Sequence, residues 1–441
     1  KVDGNVRNNM QVFNNIEDYN DLQTQLQDGG AWYGFYDIFR HVPDPIEAVW
    51  KDVGIMDMGG SGLAFGNDSD KVVPVGDNTL IGENIEVVNA RRNHLLYGLI
   101  GEYDDITIEG QFWGANPILD PRGRDVSATI TNLTVKNIDQ GQFDFDAIIQ
   151  DRGAAGPDGG LTLDGFDIDL TGLVKTGTPF NVFSTSDRGS VFINGTVRGV
   201  NEGDNQSAGN IAVYGNREIP ANIERATLIE SVEIVDEGET MHIYRNEQEG
   251  VRDIVFKNVT YRMASGESPN SQTIPFISGV LERPDDALPN DRPHRIEHEN
   301  VAVEHSTDLT YSVKAGLNQD PPYHPTEWFV EGGTTNDAAN QLLRTNQFDT
   351  DNVGVGGGRR AARLFVSGHT LNSSGDASWH EDLRPEIDQP ARMRNVSDRS
   401  GRTSDQVNRS YTATSTDESN GYALIPTSLL SRAWETSVTA N

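Results

Sequence analysis

Between residues 76 and 315, apolar and polar residues alternate at period two in short runs, and the runs are separated by Gly, Asn and Asp. Six of the runs resemble one another: "ATITNLTVKNI", "LTLDGFDIDLTG", "SVFINGTVRGV", "ATLIESVEIVDEG", "DIVFKNVTYRM" and "HRIEHENVAVEH". Each contains two alternating strands divided by one turn residue, at Asn132, Gly165, Gly195, Ser231, Asn258 and Asn300. Gly and Asn tolerate the left-handed backbone of a sharp corner. A second series interleaves with the first: "FDFDAIIQDRG", "FNVFSTSDRG", "NIAVYGNRE", "MHIYRNEQEG" and "PFISGVLERP". Its polar corners are Asp151, Asp187, Asn216, Asn246 and Glu282. The two series alternate in strict order. Self-similarity at a period of about 20–50 residues marks stacked supersecondary units, and here the units are strands. The pattern predicts an all-β solenoid of stacked three-strand coils with loops of varying length, each coil contributing the two strands of a first-series run and one strand of the second series.

The flanks read differently. In residues 1–75, Ile16, Tyr19, Leu22 and Leu26 have helical spacing and Gly29 and Gly30 end the run. This predicts an N-terminal cap or attachment region, because a bare solenoid end exposes sheet edge and core. After the Pro-rich "NQDPPYHPTEW", residues 316–441 are expected to form a smaller, mainly β C-terminal module for oligomerisation or receptor contact.

The coil texture of "NTLIGENIEV", "ITIEG" and "DIVFKNVTYRM" resembles the pectin-lyase-like superfamily of right-handed parallel β-helices. The resemblance covers residues 76–315. It implies a right-handed parallel β-helix and a choice among polysaccharide lyases, glycoside hydrolases and the tail spikes and surface proteins of viruses.

Charge narrows the setting. Asp and Glu number 67 against 35 Lys and Arg, a formal net charge of −32. The lysines are only Lys1, Lys51, Lys71, Lys136, Lys175, Lys257 and Lys314. In dilute buffer such a surface repels itself. At molar salt the Debye length falls to about 3 Å and most of the repulsion is screened. Excess acid with scarce lysine is read as halophilic. Nucleic acid is a poor partner, since phosphate binding needs a basic patch. No apolar stretch reaches the ~20 residues of a membrane helix. There is no cysteine, so disulfides and thiolate metal sites are excluded. The chain begins at Lys1 rather than Met, which suggests a removed leader or a trimmed start. Eight N-x-[ST] triplets begin at Asn67, Asn132, Asn194, Asn205, Asn258, Asn372, Asn395 and Asn408, in keeping with an extracellular location.

Candidate chemistry follows from strand parity. Inward Phe143 and Phe145 would turn Asp144 and Asp146 out. Inward Phe166 and Ile168 would do the same for Asp167 and Asp169, and inward Met241 and Ile243 for His242 and Tyr244. Outward groups on adjacent coils lie about 4.8 Å apart, so corner residues can form a ladder. Asp151, Arg152, Asp187, Arg188, Tyr214, Arg217, Tyr244 and Arg245 are the glycan-binding candidates, with Phe183 as an aromatic platform. Arg pairs bidentately with uronate carboxylates. The same ladder can instead be ion pairs and corner hydrogen bonds that fix register, and that reading is favoured. Asp144, Asp146, Asp151 and His242 are the acid–base candidates for a hydrolase or lyase, but no catalytic motif is assembled. Asp104-Asp105 and Asp285-Asp286 lack the His-Gly and Arg-x-Lys elements of polygalacturonases, and the Asp-His element of pectate lyases is missing. No cofactor and no metal-ligand set are assigned. A structural Ca ion in "GNDSD" or "DFDAIIQD", or monovalent cations, are the expected ions. The histidines of "HRIEHENVAVEH" are expected to be solvated.

The expected function is therefore a virion surface protein, spike- or turret-like, of a virus of halophilic archaea. Its expected partners are copies of itself (a trimer), other virion proteins, and host surface glycans or the S-layer glycoprotein. A secreted haloarchaeal polysaccharide lyase or glycoside hydrolase, and a host adhesion protein, are the alternatives.

Overall fold

The computed structural model describes residues 2–7, 33–37, 47–56, 61–65, 79–89, 95–96, 101–110, 112–114, 119–120, 127–138, 140–143, 147–150, 160–171, 181–185, 190–200, 211–213, 227–236, 244–246, 254–263, 276–278, 294–304, 309–315, 326–336, 338–345, 363–367, 370–372, 378–381 and 391–394. These residues form an all-β structure with a 17-stranded sheet, a 12-stranded sheet and a 2-stranded sheet. Every described strand pairing is parallel.

The strands of the large sheet are the rungs of a stack. Val2–Arg7 pairs with Glu47–Met56, which pairs with Thr79–Val88 and then Gly101–Glu109. Ser127–Lys136, Gly160–Asp169, Val191–Val200 and Thr227–Asp236 follow in order. From there each rung is divided at its corner, beginning with Ile254–Lys257 and Thr260–Met263. Pairing continues through Arg363–Ser367 to Ala391–Arg394. Strand pairing runs on across residues 76 and 315. The expected helix at residues 16–30 lies outside the described residues.

The smaller sheet supplies the other strand of each coil. Ala147–Gln150, Asn181–Thr185, Ile211–Val213, Tyr244–Asn246 and Phe276–Ser278 are the second series read from the sequence, paired in that order. Along the chain, strands of the two sheets alternate, which is what a solenoid of parallel coils requires.

Period-two alternation decides what is inside. In Gly160–Asp169, Leu161, Leu163, Phe166 and Ile168 are buried while Asp167 is exposed, as parity predicted. Phe183 of the smaller sheet stacks on Phe192 at 4.5 Å and meets Phe166 edge-on at 5.8 Å. These rings join the two sheets across the core. Phe183 is fully buried, so its expected role as a sugar platform is corrected: it packs the interior. His298 is corrected as well. It is buried, pairs in register with Phe256 and meets that ring edge-to-face at 5.1 Å, because its place two residues before the corner faces inward.

The corner itself is a column of left-handed residues. Asp52, Asn84, Asp105, Asn132, Gly165, Asn194, Ser231, Asn258, Asn300 and Gly332 have φ between 51° and 74°. The register on either side aligns them rung upon rung. Five of the six turn positions read from the sequence fall in this column; the sixth is Asn194 rather than Gly195. Gly195 instead faces the core, where a Cβ would stand 2.1 Å from the Phe166 ring. A second left-handed column, Asn89, Gly110, Asn137 and Gly199, lies five residues further along its rungs.

Candidate functional site

The exposed corner and its flanks form a polar ridge along the stack. Asp52, Asn84, Asp105, Asn132, Asn194, Ser231, Asn258 and Asn300 are all exposed. A left-handed Asn turns its amide along the stack, so it can reach the rung before it. Asn84 Nδ2 donates to Asp52 at 2.8 Å, and Asn194 Nδ2 donates to Asp164 at 2.8 Å. Asn132 Nδ2 donates to both Asp104, at 3.2 Å, and Asp105, at 3.1 Å. The backbone ladder runs through the corner too: Asn258 N–H donates to Glu299 O and Asn300 N–H to Glu331 O, each at 2.8 Å.

Ion pairs line both flanks. On the side before the corner, Lys51 meets Glu83 at 2.6 Å, and Lys257 lies between Glu230 at 3.3 Å and Glu299 at 4.0 Å. On the far side, Lys136 meets Glu109 at 3.3 Å. Arg198 reaches Asp167 at 2.7 Å and Asp169 at 3.2 Å. Arg262 reaches Glu233 at 2.7 Å and Glu304 at 2.8 Å. Each cation joins acids of a neighbouring rung, so the pairs link rungs that are distant in sequence.

These contacts tune the acids. The Asn137 amide, with Lys136, holds the Glu109 carboxyl below its usual range against partial desolvation. Desolvation raises the Asp169 carboxyl, but the Thr171 hydroxyl and amide together with Arg198 outweigh it and leave it lowered. The Asp169 hydrogen bond, against some desolvation and with Asp167, raises the Arg198 guanidinium above its ordinary value. The ridge therefore presents carboxylates locked to amides, ammonium and guanidinium groups. It can hold register and keep an acidic, hydrated face toward solvent.

Among the sequence-predicted site residues, Tyr244 and Arg245 fall in a described strand. Tyr244 pairs with Ile211 and Phe276, and Arg245 with Ala212 and Ile277. Ile211 is paired in turn with Phe183, and Phe183 with Ile149, so Tyr244 stands in their register column. Asp144, Asp146, Asp151, Arg152, Asp187, Arg188, Tyr214, Arg217 and His242 lie outside the described residues. So do the loops expected to hold calcium, apart from residues 147–150. Among the described residues no group of three or more His, Asp or Glu is placed to hold a metal ion. No described helix is long and apolar enough to cross a membrane.

The ladder that the structure shows belongs to the first series of strands, whereas the pattern of charged corners in the sequence pointed to the second. The sequence turns Asp167 and Asp169 outward; the missed residues, Lys257, Arg198 and Arg262 with Glu230, Glu233, Glu299 and Glu304, did leave a signal, since Arg198 and Arg262 each stand four residues after a left-handed corner Asn. Lys51, Glu83, Asp104, Asp164, Glu230, Lys257 and Glu299 all stand one residue before a left-handed corner. Comparison with known proteins leaves the reading to this geometry: no family model, no curated protein and no solved structure matches the chain.

Proposed function

We propose that the chain is a virion surface protein, spike- or turret-like, of a virus of halophilic archaea, and that it contacts host surface glycans or the S-layer glycoprotein. The observation that carries this reading is the use made of the exposed charges on the large sheet. Lys51, Lys136, Lys257, Arg198 and Arg262 each tie neighbouring rungs together. Such ladders fix the register of a long scaffold. The net charge of −32 with seven lysines supports the saline setting.

In this reading the coil is right-handed, the hand that parallel crossovers adopt almost without exception. The first 75 residues serve attachment, residues 316–441 carry oligomerisation or receptor contact, and the particle bears the protein as a trimer. No cofactor is needed, and any bound ion is structural. The location is extracellular. Fold alone does not fix function, so the reading is decided by assay.

The assay incubates the purified chain at about 3 M salt with haloarchaeal cells, with isolated surface glycoprotein and with acidic polysaccharides. Binding to cells or glycoprotein without product release is the expected result. Reducing ends or unsaturated products would overturn it in favour of a secreted lyase or hydrolase. Substitution of Asp144, Asp146, Asp151 and His242 would then locate the chemistry.

A further inference from the structure

Three N-x-T triplets fall on the left-handed corner column: Asn132-Leu133-Thr134, Asn194-Gly195-Thr196 and Asn258-Val259-Thr260. In each, the Asn is exposed, the middle residue is buried and the Thr is half-exposed on the outer face. They occupy alternate rungs, because Gly165 and Ser231 hold the corners between them. With strands about 4.8 Å apart, consecutive triplets are about 10 Å apart along the ridge.

We propose that Asn194 and Asn258 are acceptors for N-linked glycans and that Asn132 is not. The difference lies in what each Nδ2 faces. Asn194 sends its Nδ2 toward the preceding rung, where it meets the single acceptor Asp164 and where the corner residue is Gly165. Asn258 accepts a hydrogen bond at Oδ1 from Asn300 Nδ2 at 3.4 Å, a contact that leaves its own nitrogen out, and the rung before it has Ser231 at its corner. Asn194 and Asn258 thus each follow a rung whose corner carries no side chain or a short one.

Transfer uses a lipid-linked glycosyl phosphate as donor. The amide nitrogen forms a bond to the anomeric carbon, the bond from that carbon to the phosphate oxygen breaks, and the phosphate leaves with the electron pair. One amide proton is lost. The glycosylated nitrogen keeps one N–H, which is enough for the Asp164 bond. Asn132 is differently placed: its nitrogen serves Asp104 and Asp105, and Asp105 fills the preceding corner. A sugar there would displace one of these bonds and sit against two carboxylates.

Glycosylation at these corners shares only the exported location with the proposed function. It is tested on the full chain exported from an N-glycosylating haloarchaeal host, with a host surface glycoprotein as positive control and glycopeptide mass spectrometry as readout. Glycan mass is expected on the peptides of Asn194 and Asn258 and not on that of Asn132. Thr196→Ala and Thr260→Ala should each abolish occupancy at their own site, while Thr196→Ser retains it. Unmodified Asn194 and Asn258 beside a modified control would overturn the proposal, as would an occupied Asn132. Occupancy is read independently of cell binding, so the two readings can fail separately.

Discussion

Gly195 shows how one residue can settle a register. Both Asn194 and Gly195 can adopt a left-handed backbone, but only Gly leaves room beneath it for the Phe166 ring. That ring is held edge-on against Phe183 and has little freedom to yield. Gly195→Ala is therefore expected to lower stability by about 1–3 kcal/mol through overpacking. Combining it with Phe166→Leu should recover part of the loss, and a double-mutant cycle in denaturant would measure the coupling. Additive effects would mean that the two side chains do not meet. Titration gives a second test at this scale. Glu109 and Asp169 have lowered folded-state values, so their contribution is complete above the ordinary carboxylate range near 4 and is lost as pH falls through their folded values. Unfolding free energy at fixed salt should be flat from pH 7 to about 5 and fall below about 4. The Asp169→Asn variant should fall less steeply, with a difference at neutral pH below ~1 kcal/mol because the pair is partly exposed.

At the scale of the rung, the left-handed corner is the recurring device. It bends the strand without ending its pairing, and it directs the amides of Asn84, Asn132, Asn194 and Asn300 onto the rung before. Ser231 is the one described non-Gly member of the column that is not Asn or Asp. Ser231→Val should cost about 1–2 kcal/mol, the strain of a β-branched residue with positive φ. Ser231→Asn should be neutral or stabilising, since Asn tolerates that backbone. Equal melting temperatures for the two variants would show that the corner is not left-handed at this rung. Five of the six turn positions were legible because Asn, Gly and Ser recur at a fixed place between two alternating runs. The second-series strands were legible for the same reason, although they are short.

For the whole molecule, the central quantity is charge. Ladders neutralise acids locally, yet the chain keeps a net charge of −32. Loss of folded β signal is expected when salt is lowered from about 3 M to about 0.1 M, where the Debye length grows from under 3 Å to about 10 Å. Circular dichroism and thermal melts at both concentrations would check this, and equal stability would remove the halophilic reading.

By itself the sequence determined the all-β class, the alternation of two strand series and the choice of most corner residues. These are local properties: period two, turn chemistry and repetition are written within a few residues of one another. Only the tertiary structure decided which of Asn194 and Gly195 turns the corner, that Phe183 and His298 face inward, and which acid meets which cation. Each of these depends on the residue stacked on the neighbouring rung, such as Phe166 below Gly195 or Glu304 beside Arg262, 42 residues away in the chain. Coil lengths vary, so the partner across a rung cannot be counted off along the sequence; it is set by the register in which large side chains fill the spaces left by small ones.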